Sequence, residues 1–165
     1  MPPALGTTRP SNFGLAWLLV CLAFCGHIAD EALTGFLGVY NPTVLAMRAR
    51  TAWFPMPTFG YREWLMGLII ANIVFLALTP FAYGNARWLR PLGYFFAGVM
   101  LLNGLGHTLF TILGHTVPEV QFPRPAPGFY SSPLLLVTSV YLFFRLRASR
   151  AHKEAEGQHR AIQTM

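Results

Sequence analysis

Charged side chains are scarce in this chain. Only 11% of its 165 residues are Asp, Glu, Lys or Arg, where a soluble domain carries roughly 25%. With 54% of the residues hydrophobic, much of the surface must face something other than water. Lysine is all but missing: Lys153 stands alone, and the remaining cations are Arg. The net charge of +6 therefore rests on Arg residues that flank apolar runs. That is the pattern of juxtamembrane anchors, and it points away from nucleic acid.

Cysteine is nearly absent too. Cys21 and Cys25 are the only pair. Four apart on a helix, their Cα atoms lie about 6 Å apart with parallel Cβ vectors, which makes them poor disulfide partners. They read as small apolar residues packing in a helix, with a metal role as the alternative, and say little of redox compartment. No HExxH or CxxC motif, no pair of ExxH repeats, no nucleotide-binding glycine pattern and no internal repeat occurs. Any chemistry must come from a constellation scattered along the chain.

The apolar runs predict an all-α integral membrane bundle of four transmembrane helices, over about 13–38, 61–83, 90–115 and 130–146. About 20 apolar residues suffice to cross the hydrocarbon core. Residues 1–12, with three prolines, read as a disordered tail, and 148–165 as a polar tail, disordered or weakly helical, that carries His152 and His159 into solvent. The first run continues past any signal-peptide length to Tyr40, so it reads as an uncleaved anchor. Asn41-Pro42 reads as a helix cap and first-turn proline, Thr43–Arg50 as an interfacial segment, and Val117–Gly128, with four prolines, as a loop. Thr79-Pro80 kinks or ends the second span. Four spans put both termini on one side. That side carries Arg9, Arg87, Arg90, Arg145, Arg147, Arg150, Lys153 and Arg160, against Arg48, Arg50, Arg62 and Arg124 on the other. The positive-inside rule then places both termini in the cytoplasm. An Arg-rich, Lys-poor chain suits a high-GC bacterium and its inner membrane.

Inside the first run stands His27-Ile28-Ala29-Asp30-Glu31. Ionisable groups at membrane depth are costly and face a bundle interior or a wet cavity. His27 and Glu31 share a helix face, with Asp30 about 100° away. Gly35 and Gly38 continue that face as small residues that let a helix approach. The third run carries a matching stripe of Asn103, His107, Thr111 and Gly114. Counted from their expected cytoplasmic ends, His27 and Asn103 lie about 21 and 17 Å deep, and Glu31 and His107 about 27 and 23 Å. The two helices run in the same direction, so their polar groups are at compatible depth. His115, Glu63 and Glu119 fall near the outer surface.

Two imidazoles with one or two carboxylates suit Zn²⁺ or another divalent metal such as iron, leaving positions open for water. His27, Glu31 and His107 are the expected ligands, with Asp30 and His115 as further candidates, and Glu31, Asp30 and Asn103 as catalytic candidates. A hydrogen-bonded network that only sets helix register stands beside that reading. Glu63 reads as interfacial, and Ser131 and Ser132 as caps of the last helix.

His27-Ile28-Ala29-Asp30-Glu31, the Asn103 to His107 pair and Pro127-Gly128 ahead of the last helix together resemble the HXXEE-domain membrane proteins. The resemblance covers about residues 13 to 147 in order and spacing. It implies a small multi-helix membrane domain whose acidic and histidine residues suggest a metal-dependent enzyme. Asp30 departs from the pattern, standing where the family has its first Glu, so Glu31 is the safer ligand. An enzyme of this kind would take an amphiphilic substrate by hydrolysis or lipid modification. The alternatives are a small proton- or ligand-binding transport protein, in which oligomerisation enlarges the pathway, and a structural subunit with a polar packing seam.

Overall fold

The structure, a computed structural model, describes residues 12–163, with side chains described from 12 to 148. The tail 1–11 and the side chains of His152 and His159 lie outside the described residues. The chain is mostly helical. Its elements are α1 (Asn12–Thr34), α2 (Leu37–Arg50), α3 (Tyr61–Ala77), α4 (Thr79–Tyr83), α5 (Leu89–Leu113), β1 (His115–Val117), β2 (Val120–Gln121) and α6 (Ser132–Gln163). Among the described residues, three stretches are long and apolar enough to cross a membrane: Asn12–Thr34, Tyr61–Tyr83 and Leu89–Leu113. The second is α3 and α4 together, interrupted at Leu78 where Thr79-Pro80 begins a new helical segment.

Helix ends follow local chemistry. α1 stops at Thr34 because Gly35 turns left-handed, φ +76°. The Phe36 amide donates back to the Glu31 carbonyl at 3.0 Å, the six-to-one bond of a Schellman ending. This corrects two expectations. The first span does not run to Gly38, and Gly35 and Gly38 are not a packing seam, since a Cβ at either would meet nothing. α5 likewise ends at left-handed Gly114, whose amide donates to Phe110 O at 2.8 Å. Gly114 therefore belongs to the turn and not to the polar stripe. α6 opens with Pro133 in its first turn, where a missing N–H leaves no helical bond unmade, and runs without a break into the polar segment beyond 148.

Asn41-Pro42 does not cap a helix. α2 begins at Leu37 and holds Pro42 inside it. The Asn41 side chain instead pairs with the Phe59 backbone, donating to its carbonyl at 2.9 Å and accepting from its amide at 3.1 Å. That pair ties the non-helical segment 51–60 to α2. The 117–128 stretch also contains more order than a loop: β1 and β2 form an antiparallel hairpin with His115 opposite Gln121.

α6 packs against both α1 and α5, while α3 and α4 pack against α1. α1 and α5 run the same way, because Phe13 and Gly93 meet at one end while His27 bonds Asn103 toward the other. α6 runs opposite, from Ser132 beside Gly104 to Leu146 beside Gly93. One end is an aromatic core. Phe75 stacks on Phe96 with centroids 4.2 Å apart, and Trp17 lies against both and donates its indole N–H to the Phe75 carbonyl. Cys21 is buried in this core, while Cys25 is exposed. The outward faces are apolar: Ile69, Ile70, Ile73 and Val74 on α3 and Leu134 and Val137 on α6 are exposed. Apolar side chains gathered on outward faces in this way suit hydrocarbon and not water.

Candidate metal centre

The polar groups gather at the other end of the bundle. His27 and Glu31 lie one turn apart on α1, and Asn103 and His107 one turn apart on α5. Parallel helices bring the pairs into register. Asn103 Nδ2 lies 3.0 Å from His27 Nε2, and His107 Nε2 lies 3.1 Å from Glu31 Oε1. His27 Nε2 is itself 3.4 Å from the same Glu31 oxygen. The three side chains are 0%, 3% and 6% exposed for His27, Glu31 and His107. Their two ring nitrogens and one carboxylate oxygen fall within 4.8 Å of one another, and the group can hold a metal ion.

Protons on His27 can be assigned from its neighbours. Asp30 Oδ2 accepts from both the amide and the hydroxyl of Ser131, each at 2.8 Å. The Ser131 proton is thereby committed to a carboxylate, so Ser131 Oγ accepts from His27 Nδ1–H at 2.7 Å. With its proton on Nδ1, His27 presents the lone pair of Nε2 to the Asn103 amide at 3.0 Å, with the Glu31 oxygen 3.4 Å away. An imidazole whose far nitrogen is held by a hydrogen-bonded carboxylate chain is the usual setting of a metal-ligating histidine. His107 offers Nε2 to the same point. The donor set of two imidazoles and a carboxylate matches catalytic zinc sites with an open position.

Asn103 faces the cluster but competes with a cation, since its amide N–H and a metal need the same Nε2 lone pair. Asp30 does not join the three. Its carboxylate is turned to Ser131 at the start of α6, where a negative charge also meets the positive end of the helix. His115 sits in β1 beside a separate depression formed with Gln121, Phe122 and Arg124, and is not brought to the cluster. Glu63 accepts from the Gly60 amide at 3.2 Å, stabilising the start of α3. Glu119 pairs with Arg50 on the exposed surface. The Arg50 guanidinium, hydrogen-bonded to Glu119, holds that carboxyl below its usual range.

Ser131 is the residue that sequence reasoning missed. It does precede α6, and its carbonyl accepts from Leu134 and Leu135, but its hydroxyl serves His27 instead of the helix. The signal was present only as an acid, Asp30, one place off the His27–Glu31 face. Gly128 matters for shape. Its φ is +79°, and a Cβ there would lie 2.7 Å from His107 Cε1 and 3.0 Å from Glu31 Cγ. Only glycine lets the backbone close over the cluster. The Gly128 amide is anchored by the Thr34 hydroxyl at 3.1 Å.

A cavity of about 250 Å³ lies against the centre, with His107 and Asn103 in its wall. The rest of its lining is mostly apolar and comes from α2, α5 and the hairpin region. Compared with known proteins, the chain matches no family model, no curated protein and no solved structure.

Proposed function

We propose that this is an HXXEE-like multi-pass membrane protein that binds one divalent metal through His27, Glu31 and His107 and acts enzymatically on an amphiphilic substrate. The carrying observation is the convergence of His27 Nε2, His107 Nε2 and Glu31 Oε1 while Ser131 and Asp30 hold His27 Nδ1. The bound ion, zinc or iron, would act as a Lewis acid and activate water. Glu31 and the two imidazoles hold it, Asp30 and Ser131 orient His27, and Asn103 is placed to bind a substrate oxygen. Substrate reaches the centre through surroundings that are apolar, which favours a lipid-like molecule over a water-soluble one.

We take α6 as a fourth span, since it follows α5 from Gly104 to Gly93 in the opposite direction. Both termini then lie in the cytoplasm of a bacterial inner membrane, in keeping with the Arg distribution. The packing-network reading has one observation in its favour: the site residues already hydrogen-bond one another. Elemental mass spectrometry of the detergent-purified chain separates the two. Near one metal per chain, lost in a folded His27→Ala/His107→Ala variant, is the expected result. No metal in the wild type and a destabilised variant would leave only a packing role.

A further inference from the structure

We infer that the cavity beside His107 is a binding chamber for one short apolar arm of the substrate, with the arm's oxygen-bearing end at His107 and Asn103. The inference rests on the metal reading for the identity of that polar end, and on shape alone for the arm. An apolar cavity of roughly 150 Å³ holds benzene. At the same packing, about 250 Å³ takes an arm of about ten heavy atoms. A full membrane acyl chain exceeds this volume.

The lining divides as a ligand would require. Val39, Phe110 and Phe122 supply apolar walls from three separate segments. Asn103 and His107 are adjacent turns of α5 on one side, so polar contact is confined to the end nearest the metal centre. Thr43 and Thr116, which also line the cavity, spend their hydroxyls on each other and join α2 to β1. Gly106 leaves room that no other residue fills. A Cβ at this position would meet only Phe110, at an ordinary 3.8 Å. Gly106 lines the cavity, so a larger side chain here is expected to take up part of its volume.

Photolabelling tests the chamber. The full chain in phosphatidylcholine–phosphatidylglycerol nanodiscs is irradiated with a hexanol carrying a terminal diazirine, about ten heavy atoms, or with a hexadecanol analogue. Labelled peptides are read by mass spectrometry, and metal content is measured on the same samples. The short probe is expected to label Val39, Phe110 or Phe122. That labelling should fall at least tenfold in Gly106→Leu and again in Val39→Trp, which narrows the cavity from the opposite wall. Labelling of the outward residues Ile73 and Phe95 should be unchanged, and metal should be retained in both variants. The long probe should label outward residues alone. Wild-type protein that holds metal but shows no cavity labelling by the short probe overturns the inference and leaves the metal centre standing. Labelling by the long probe at Trp64 and Leu68, beyond Phe36 and Tyr40, overturns the size limit. Length-selective cavity labelling in a chain without metal supports the chamber and sinks the metal reading.

Discussion

Ser131→Ala separates a working histidine tether from ordinary helix packing. In the wild type, Ser131 Oγ accepts from His27 Nδ1 at 2.7 Å and donates to Asp30 at 2.8 Å. The substitution removes both bonds and leaves the Ser131 amide on Asp30. His27 is fully buried, so its Nδ1–H is left without an acceptor, a loss of about 1–3 kcal/mol. Most of that loss falls on metal-free and metal-loaded protein alike and lowers the melting temperature of both. Metal affinity changes only by the difference between the two states. A ligating imidazole holds a more positive Nδ1–H, so the tether is stronger when metal is bound, and losing it weakens binding by up to about tenfold. The assay is chelator competition on the purified protein. Ser132→Ala is the control, because Ser132 is the next residue and is buried, but donates to the Gly128 carbonyl at 2.8 Å. It should lower stability and leave metal affinity within about threefold. Equal affinity loss in the two variants, or wild-type affinity in Ser131→Ala, would refute the tether.

Gly104 is where α5 meets α6, and a Cβ there would lie 3.0 Å from Leu136 Cγ and 3.1 Å from Ser132 O. Gly104→Ala should therefore destabilise by about 1–3 kcal/mol in detergent unfolding, whereas Gly98→Ala, whose Cβ meets nothing, should be neutral or slightly stabilising. Asn103→Ala removes the competitor for the His27 Nε2 lone pair, so metal affinity should hold or tighten by up to about tenfold; chelator competition showing loss of metal would make Asn103 a ligand. The Arg50–Glu119 pair clasps α2 to the hairpin. Because the Glu119 carboxyl is held below its usual range, the clasp is fully present above about pH 4.3 and fades as pH falls through the lowered value. Hairpin amide protection should drop in Arg50→Ala at neutral pH and match wild type at strongly acidic pH; no difference at neutral pH would sink the clasp.

The helical parts of the site were legible because helices place residues four apart on one face. His27 with Glu31, and Asn103 with His107, follow from spacing. Their pairing across α1 and α5 follows from counting depth along two helices of like direction. The glycines were harder, since glycine serves close packing and left-handed turns equally well. Gly35 and Gly114 have spacings that fit a helix face, yet both end helices. Pro42 shows the same ambiguity: an Asn-Pro pair suits a helix start, but Asn41 found its partner in the Phe59 backbone. Strands of three and two residues carry no alternation to read, so the hairpin was invisible. Ser131 could not be recognised because a serine before a helix normally caps it, and only tertiary structure brings His27 Nδ1 within reach of its hydroxyl.

The central claim is that His27, Glu31 and His107 hold one metal together, and X-ray absorption at the edge of the bound metal tests it most directly. The metal should show a shell of nitrogen and oxygen only, at about 2.0–2.2 Å for zinc, with the outer scattering of two imidazoles, reduced to one imidazole in His107→Ala. A shell containing sulfur, or two imidazoles persisting in His107→Ala, would contradict it.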